Sequence, residues 1–411
     1  MKLESKKDKL IDYGFMVLLL LAVVLVTGKL FALQATHAMQ NSPIYPNDMK
    51  AYVQEMLGQE SGYSFPYPIF FWIGRVFHLF LEPAMSMAMA TLLLNTLSIG
   101  ITIWGMRQVA LKSLQERFEK YPFLAGMLIT VVAVSLHFVS MLFTPLEITL
   151  PGIKFRYLGV FTPNPFHNAT YMATRPFAIL AFLWYIKLLP IYENEKVALK
   201  DYILFAVFML LTTMTKPSFI IVLVGAAGLI MVYRMIRSKF GNFWPTIRLG
   251  LCFVPTFIDL LYQYSGVFVP TDGAEGGMGF GFARVWAIYC DNIPLAICLG
   301  IGFPIVVLLL NWKELKSNVT FRFSWQIYGM SLAMALLLVE KGFRETHFNF
   351  AWGYMHGIFF VFYGALIVLL QATACKDSKW WKIALQWLAY LWHVVCGLYY
   401  FWGIANGAMY Y

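Results

Sequence analysis

Charge is what this chain has little of. Asp, Glu, Lys and Arg together make up 13% of its 411 residues, about half the share of a soluble globular domain. Such a chain cannot cover a large water-facing surface, which excludes one big soluble core. Cysteine is also scarce: Cys252, Cys290, Cys298, Cys375 and Cys396 are all there are. None stands in a CxxC pair and most fall in apolar stretches, so they read as small apolar fillers rather than a disulfide framework. No set of His, Cys and carboxylates has metal-ligand spacing. The glycine-rich stretch Thr271–Phe282, TDGAEGGMGFGF, lacks the Gly-Lys-Ser/Thr ending of a nucleotide-phosphate loop. It reads as a connector, with a mobile lid as the alternative. Internal repeats, heptads and low-complexity tracts are missing as well.

What is present is apolar length. Hydrophobic residues make up 60% of the chain, in runs that reach the roughly 20 residues needed to cross a bilayer. The expected fold is an all-α polytopic membrane protein, residues 1–411 forming a single integral domain. Eleven spans are expected, near 11–33, 84–106, 123–144, 169–189, 202–214, 217–233, 249–265, 292–311, 323–340, 351–371 and 382–404. The first follows Lys2, Lys6, Lys7 and Lys9 and is too long, with too poor a cleavage site, for a signal peptide. With the N-terminus on the cytoplasmic side, 21 of the 31 Lys and Arg fall in loops on that side, as the positive-inside rule requires. The net charge of +10 then reflects loops facing anionic lipid, and no nucleic-acid partner is expected. The other 10 cations lie on or near the outer face. Lys29, Lys50, Arg75 and Arg284 suit interface anchoring, whereas Lys154, Arg156, Arg175, Lys216, Lys341 and Arg344 adjoin apolar spans where basic residues should be rare.

Two segments test this topology. Tyr67–Leu81, YPIFFWIGRVFHLFL, reaches only about 22 Å as a helix, short of a core of about 30 Å, and is expected as an interfacial helix in the first outer loop. Tyr202–Tyr233 would make a single helix about 48 Å long, too long for most bilayers. Thr215-Lys216-Pro217 near its middle predicts two helices, a threonine cap and first-turn proline starting the second, with Lys216 at the turn.

The first outer loop holds PNDMKAYVQEML. Asp48 and Tyr52 are four apart, so a helix starting near Asn47 puts them on one face; a plainer role for Asp48 is to favour the helix dipole. An outer-loop Asp with a Tyr four residues on, followed by Tyr67-Pro68-Ile69-Phe70-Phe71 and a second span, resembles the GT-C superfamily of membrane glycosyltransferases. LLTTMTKPSFIIVLVG (Leu210–Gly225) is similar to that superfamily's Lys-Pro turn between short spans. The resemblance covers about residues 1–235, leaving 236–411 as variable C-terminal helices. The frequent double-acidic form of the loop motif is absent, because Asn47 precedes Asp48.

The resemblance implies sugar transfer from a polyprenyl-phosphate-linked donor to a cell-surface polysaccharide or glycolipid acceptor at the outer face. It makes Asp48 the general base. Such a transfer needs a base for the acceptor hydroxyl and fixed positive charge for the departing phosphate; Lys216, Arg175 and Arg344 are the candidates. Arg175, one to two turns inside its span, is costly there and by default functional; snorkelling to headgroups is the plain alternative for it and Lys216. Tyr52, His167, Glu340, Glu345, His347 and Arg156 are candidate substrate contacts. Glu340 and Arg344 also have the i,i+4 spacing of a plain salt bridge. Asp259, inside its span, needs a partner, and His137 and His393 read as packing residues. No cofactor is required, although the superfamily leaves room for a divalent cation at Asp48. Membrane lipids are the remaining partners. Rival readings are a polysaccharide polymerase or ligase, disfavoured by the moderate outer loops, and a lipid-linked-sugar transporter or flippase, which would show broken helices and inverted repeats. With no organelle address in view, the expected location is a bacterial plasma membrane. Asn168-Ala-Thr170 matches a glycosylation acceptor, a pattern too common to carry weight.

Overall fold

The computed structural model describes residues 5–142, 162–194, 196–267 and 277–408. In chain order the helices are α1 (Lys6–Met39), α2 (Met49–Leu57), α3 (Ile69–His78), α4 (Pro83–Arg117), α5 (Phe123–Leu136), α6 (Ala169–Leu188), α7 (Leu199–Thr215), α8 (Ser218–Arg237), α9 (Phe243–Leu251) and α10 (Val254–Val267). After strand β1 (Met278–Phe280) come α11 (Trp286–Tyr289), α12 (Ile293–Gly300), α13 (Gly302–Leu310), α14 (Glu314–Ser317) and α15 (Val319–Leu337). Strand β2 (Leu338–Glu340), α16 (Phe350–Ala374) and α17 (Trp380–Ala405) complete the order. The two strands pair antiparallel, Met278 opposite Glu340.

Helix starts follow local chemistry. Ser5 and Asp8 form a capping box on α1. Pro83 opens α4, and Asn168 and Asn318 cap α6 and α15 through their side chains. α7 stops because Pro217 disfavours a helical residue before it, and Lys216 is extended at φ −170° and ψ 126°. Thr215 is the last residue of α7 and bonds back to Leu211 O, so Pro217, not the threonine, occupies the start of α8.

Side-chain bonds show that successive long helices run in opposite directions. At one end, the start of α1 meets the end of α4 and the start of α5 through Asp12, Arg107 and Gly126. Lys187 joins Asp201, Arg234 joins Glu193, Asn318 joins Gln371 and Asn311 joins Gln386 at this same end. At the other end, Gln34 of α1 bonds Phe166 O, Tyr45 bonds Ala405 O of α17, and Gln263 of α10 bonds Thr213 O of α7. The described cations among those assigned to the cytoplasmic loops fall at the first end. The second end carries α2, α3, the strand pair and the α7–α8 turn.

Helices occur at all eleven expected places. Among the described residues, however, five are long and apolar enough to cross a membrane: α1, α4, α8, the helix ending at Ala374, and α17. The count reaches seven if each bent pair is one span, α9 with α10 at 48° and α12 with α13 at 72°. The shortfall from eleven has a physical source. α5 and α7, at 14 and 17 residues, are short, and α6 and α15 carry Arg175 and Arg322 among hydroxyl residues. Tyr67–Leu81 contributes a separate 10-residue helix, α3, with Ile69, Phe70 and Phe71 buried and Trp72 and Val76 exposed. α16 is the core, buried on every side from Gly353 to Leu370, as an all-round apolar helix must be. Gly357 and Gly364 make its approach to α15 feasible, since a Cβ at either would collide with Ser331 or Ser324.

Candidate functional site

The second end of the bundle gathers one hydrogen-bonded cluster from four separated stretches of chain. Asn47 holds the first: its amide donates to Gln34 O (3.0 Å) and its oxygen takes the Met49 N–H (2.7 Å). Asp48 is thereby left at the N-cap of α2 with no side-chain capping bond. Its carboxylate instead accepts from Tyr52 OH at 3.3 Å and from Asn168 Nδ2 at 2.8 Å. The expected common face of Asp48 and Tyr52 is present, and Asp48 also stands at the N-terminus of α2, where the helix dipole favours a carboxylate.

Asn168 is the hinge of the arrangement. Its oxygen caps α6 by accepting Tyr171 N at 2.9 Å and also accepts from Lys216 Nζ at 3.0 Å. Lys216 Nζ further donates to Thr170 Oγ1 at 3.0 Å and stands 4.4 Å from the centre of the Trp352 ring. Thr170 lies 3.2 Å from Tyr52 OH, and Tyr67, just before α3, packs at 6.0 Å and 6.3 Å from the Phe65 and Phe71 rings that also face Tyr52. Lys216 is buried, whereas Asp48 keeps accessible surface although protein surrounds its carboxylate. That enclosure raises the Asp48 pKa above the ordinary carboxylate value; the Lys216 charge and the bonds from Asn168 and Tyr52 oppose the rise. Burial, reinforced by Lys216, pushes the buried His167 down to about 3, so it faces Trp352 as a neutral ring 5.9 Å away.

Not every expected residue joins. Arg175 is fully buried and turns back along α6, its Nη1 at 2.8 Å from His137 Nδ1 and its Nη2 at 2.8 Å from Met172 Sδ. It lies 5.5 Å from the Tyr171 and Phe359 rings, one layer beneath the cluster rather than within it. Arg344 makes the simple i,i+4 ion pair with Glu340 at 3.4 Å. Glu340 accepts from Asn349 at 2.6 Å, and Glu345 pairs with Arg284 at 2.8 Å; these groups chiefly bind one another. His347 lies in the same short 3-10 turn, Gly342–His347. Arg156 and Lys154 lie outside the described residues, as does residue range 271–276 of the glycine-rich stretch. Asp259 finds Gln263 at 2.8 Å rather than a cation. His393 is satisfied by Ser140 O and Phe303 N, as a packing residue should be.

Sequence reasoning missed Asn168, Thr170, Trp352 and the part played by Tyr67. Asn168-Ala-Thr170 matched a sugar-acceptor pattern, yet both side chains are buried here. An Asn directly before a helical run was the usable signal, being a preferred N-cap. Trp352 gave none, since its value lies in facing Lys216 from a distant helix. Among the described residues no group of three or more His, Cys, Asp and Glu could hold a metal ion. Asp48 offers one carboxylate, and Lys216 already supplies positive charge beside it. Compared with known proteins, the chain matches no family model and no curated protein.

Proposed function

We propose that the chain is a GT-C-like membrane glycosyltransferase, moving a sugar from a polyprenyl-phosphate-linked donor to a polysaccharide or glycolipid acceptor on the outer face of a bacterial plasma membrane. The observation that carries the reading is the Asp48–Asn168–Lys216 relay. It brings an accessible carboxylate and a buried ammonium to one place without letting them neutralise each other. In the proposed reaction Asp48 takes the proton of the acceptor hydroxyl. The freed oxygen bonds to the anomeric carbon as the bond from that carbon to the phosphate oxygen breaks. The electron pair leaves with the phosphate, where the Lys216 charge is worth more for being shielded from water. In this reading Arg344 meets the donor's anionic group as it enters, and Tyr52 and Asn168 orient Asp48 by donating to its carboxylate.

The bent pairs α9–α10 and α12–α13 favour one rival, a transporter or flippase of lipid-linked sugar, because broken helices are a transporter device. One assay separates them. Purified protein given a labelled polyprenyl-phosphate-linked sugar and an acceptor extract should release polyprenyl phosphate. Movement of intact donor across a vesicle membrane with no release would replace the enzyme by the transporter.

A further inference from the structure

Among the described residues, His356 is the fully buried imidazole with no hydrogen bond at either nitrogen. It lies in the second turn of α16 and has 0% exposure. Leaving a polar group unmet in such a place costs roughly 1–3 kcal/mol, so a phenylalanine would serve packing better. The ring stacks on Tyr171 at 4.1 Å and sits 5.5 Å from the Phe219 ring. The charges of both Arg175 and Lys216 act on it.

Phe219 is the second residue of α8, and the start of that helix is also unfinished. α8 is 20 residues long, follows Pro217, and no side chain caps it. The amides of Ser218, Phe219 and Ile220 have no carbonyl to meet within the helix. Ser218 Oγ is buried and likewise without a partner. A Cβ placed on Gly353 would lie 3.0 Å from Ser218 O, which sets the start of α8 against α16 one turn before His356. Lys216 stands immediately upstream and spends two of its three N–H bonds on Asn168 and Thr170.

We propose that the N-terminus of α8, the Ser218 hydroxyl, the Lys216 ammonium and the His356 imidazole form an oxyanion site that takes the phosphate of a prenyl-phosphate headgroup. Every member can donate a hydrogen bond, and the helix end adds partial positive charge. Arg175 behind His356 adds to the field. The choice of a prenyl lipid rests on the glycosyl-transfer reading; the oxyanion chemistry does not. The site lies beside Asp48 through Asn168, where a leaving phosphate would be held while the carboxylate handles the acceptor.

The test uses the full chain, purified in detergent, with thermal unfolding followed against farnesyl phosphate, inorganic phosphate and farnesol. Farnesyl phosphate should raise Tm with concentration, as a ligand of the native state does. Inorganic phosphate should do so more weakly, and farnesol not at all. Ser218→Ala and His356→Phe should each weaken farnesyl phosphate binding about tenfold, the effect of one charged hydrogen bond. His356→Gln, which keeps a donor, should recover part of the loss and covers the case in which the Phe variant does not fold. Equal affinity in wild type, Ser218→Ala and His356→Gln, or a farnesol effect matching farnesyl phosphate, would overturn the site. Inorganic phosphate binding as tightly as farnesyl phosphate would overturn the lipid assignment in favour of free phosphate. A protein that binds farnesyl phosphate through His356 but releases no sugar from prenyl-linked donors loses the transferase reading and keeps the site. Sugar transfer undiminished in His356→Phe does the reverse.

Discussion

The two ends of the bundle treat neighbouring opposite charges in opposite ways. At the first end, Asp12 and Arg107 face each other directly: Nη2 to Oδ1 at 2.6 Å and Nη1 to Oδ2 at 2.9 Å, with Thr130 and Gly126 O close by. That bidentate fork is the strong geometry for an ion pair, and it leaves no charge for a ligand. It ties α1, α4 and α5 together. At the second end, Asp48 and Lys216 make no direct ion pair; Asn168 stands between them, giving its amide to one and its oxygen to the other. Both ions keep bonding capacity. The first arrangement is built for holding helices, and the second has the form of a site prepared for a polar guest.

The largest expected effect separates these roles. Asp48→Asn should lower sugar transfer by about a thousandfold, the contribution of a general base, with Tm and chromatographic behaviour in detergent retained. Transfer at the wild-type rate would remove Asp48 from the chemistry. Arg107→Met should do the opposite. It strands Asp12 as an unpaired buried charge, at a cost of about 3–5 kcal/mol, so Tm should fall clearly while the activity of the folded fraction stays. A Tm within a degree of wild type would mean that the fork is not structural.

A sharper break converts one end into the likeness of the other. Asn168→Asp keeps the size and the N-cap of α6 but gives Lys216 a direct carboxylate partner and takes the amide donor from Asp48. The site would then neutralise itself as Asp12 and Arg107 do. Transfer should fall about 10- to 100-fold, the worth of one or two charge-assisted hydrogen bonds, with Tm nearly unchanged. Asn168→Ala loses the cap as well and should cost about 1 kcal/mol of stability. If Asn168→Asp transfers sugar at full rate, keeping the two ions apart has no function.

How much of this was legible in the sequence differs between the ends. Apolar run length placed a helix at every expected position, and Pro217 gave the α7–α8 break, because both follow from local geometry. The Asp48–Tyr52 contact was legible as an i,i+4 pair. Span number was less so. Run length cannot foresee that α12 and α13 part at Ile301, which sits at φ −128° and ψ 30°, and turn by 72°. Nor could spacing reveal that Arg175 folds back onto His137, 38 residues away, since an apolar span gives no sign of which neighbour its polar residue faces. Asn168 was in plain view within an acceptor pattern too common to decide anything, while its position before an apolar run marks it as a cap. Such relations depend on which helices pack together, and that is decided by α16 and its neighbours rather than by any local motif.

The smallest effect is the most diagnostic, because it reads the Asp48 environment itself. Enclosure by protein raises the Asp48 pKa above its ordinary 3.8, with Lys216 the leading opposing influence. A general base works only when ionised, and its ionised fraction falls as pH drops through its pKa. The acid limb of kcat/KM should therefore lie higher than an unperturbed aspartate would place it, with activity present on its alkaline side. Lys216→Met removes the cation that favours the carboxylate, so the limb should move to higher pH, whatever is also lost in rate. Arg107→Met acts at the far end and should leave the limb in place, which ties the shift to the site and not to a general loosening of the bundle. Measured profiles of the three proteins, compared by limb position rather than height, decide the matter. A limb that ignores Lys216→Met would show that the titrating base is not the carboxylate beside it.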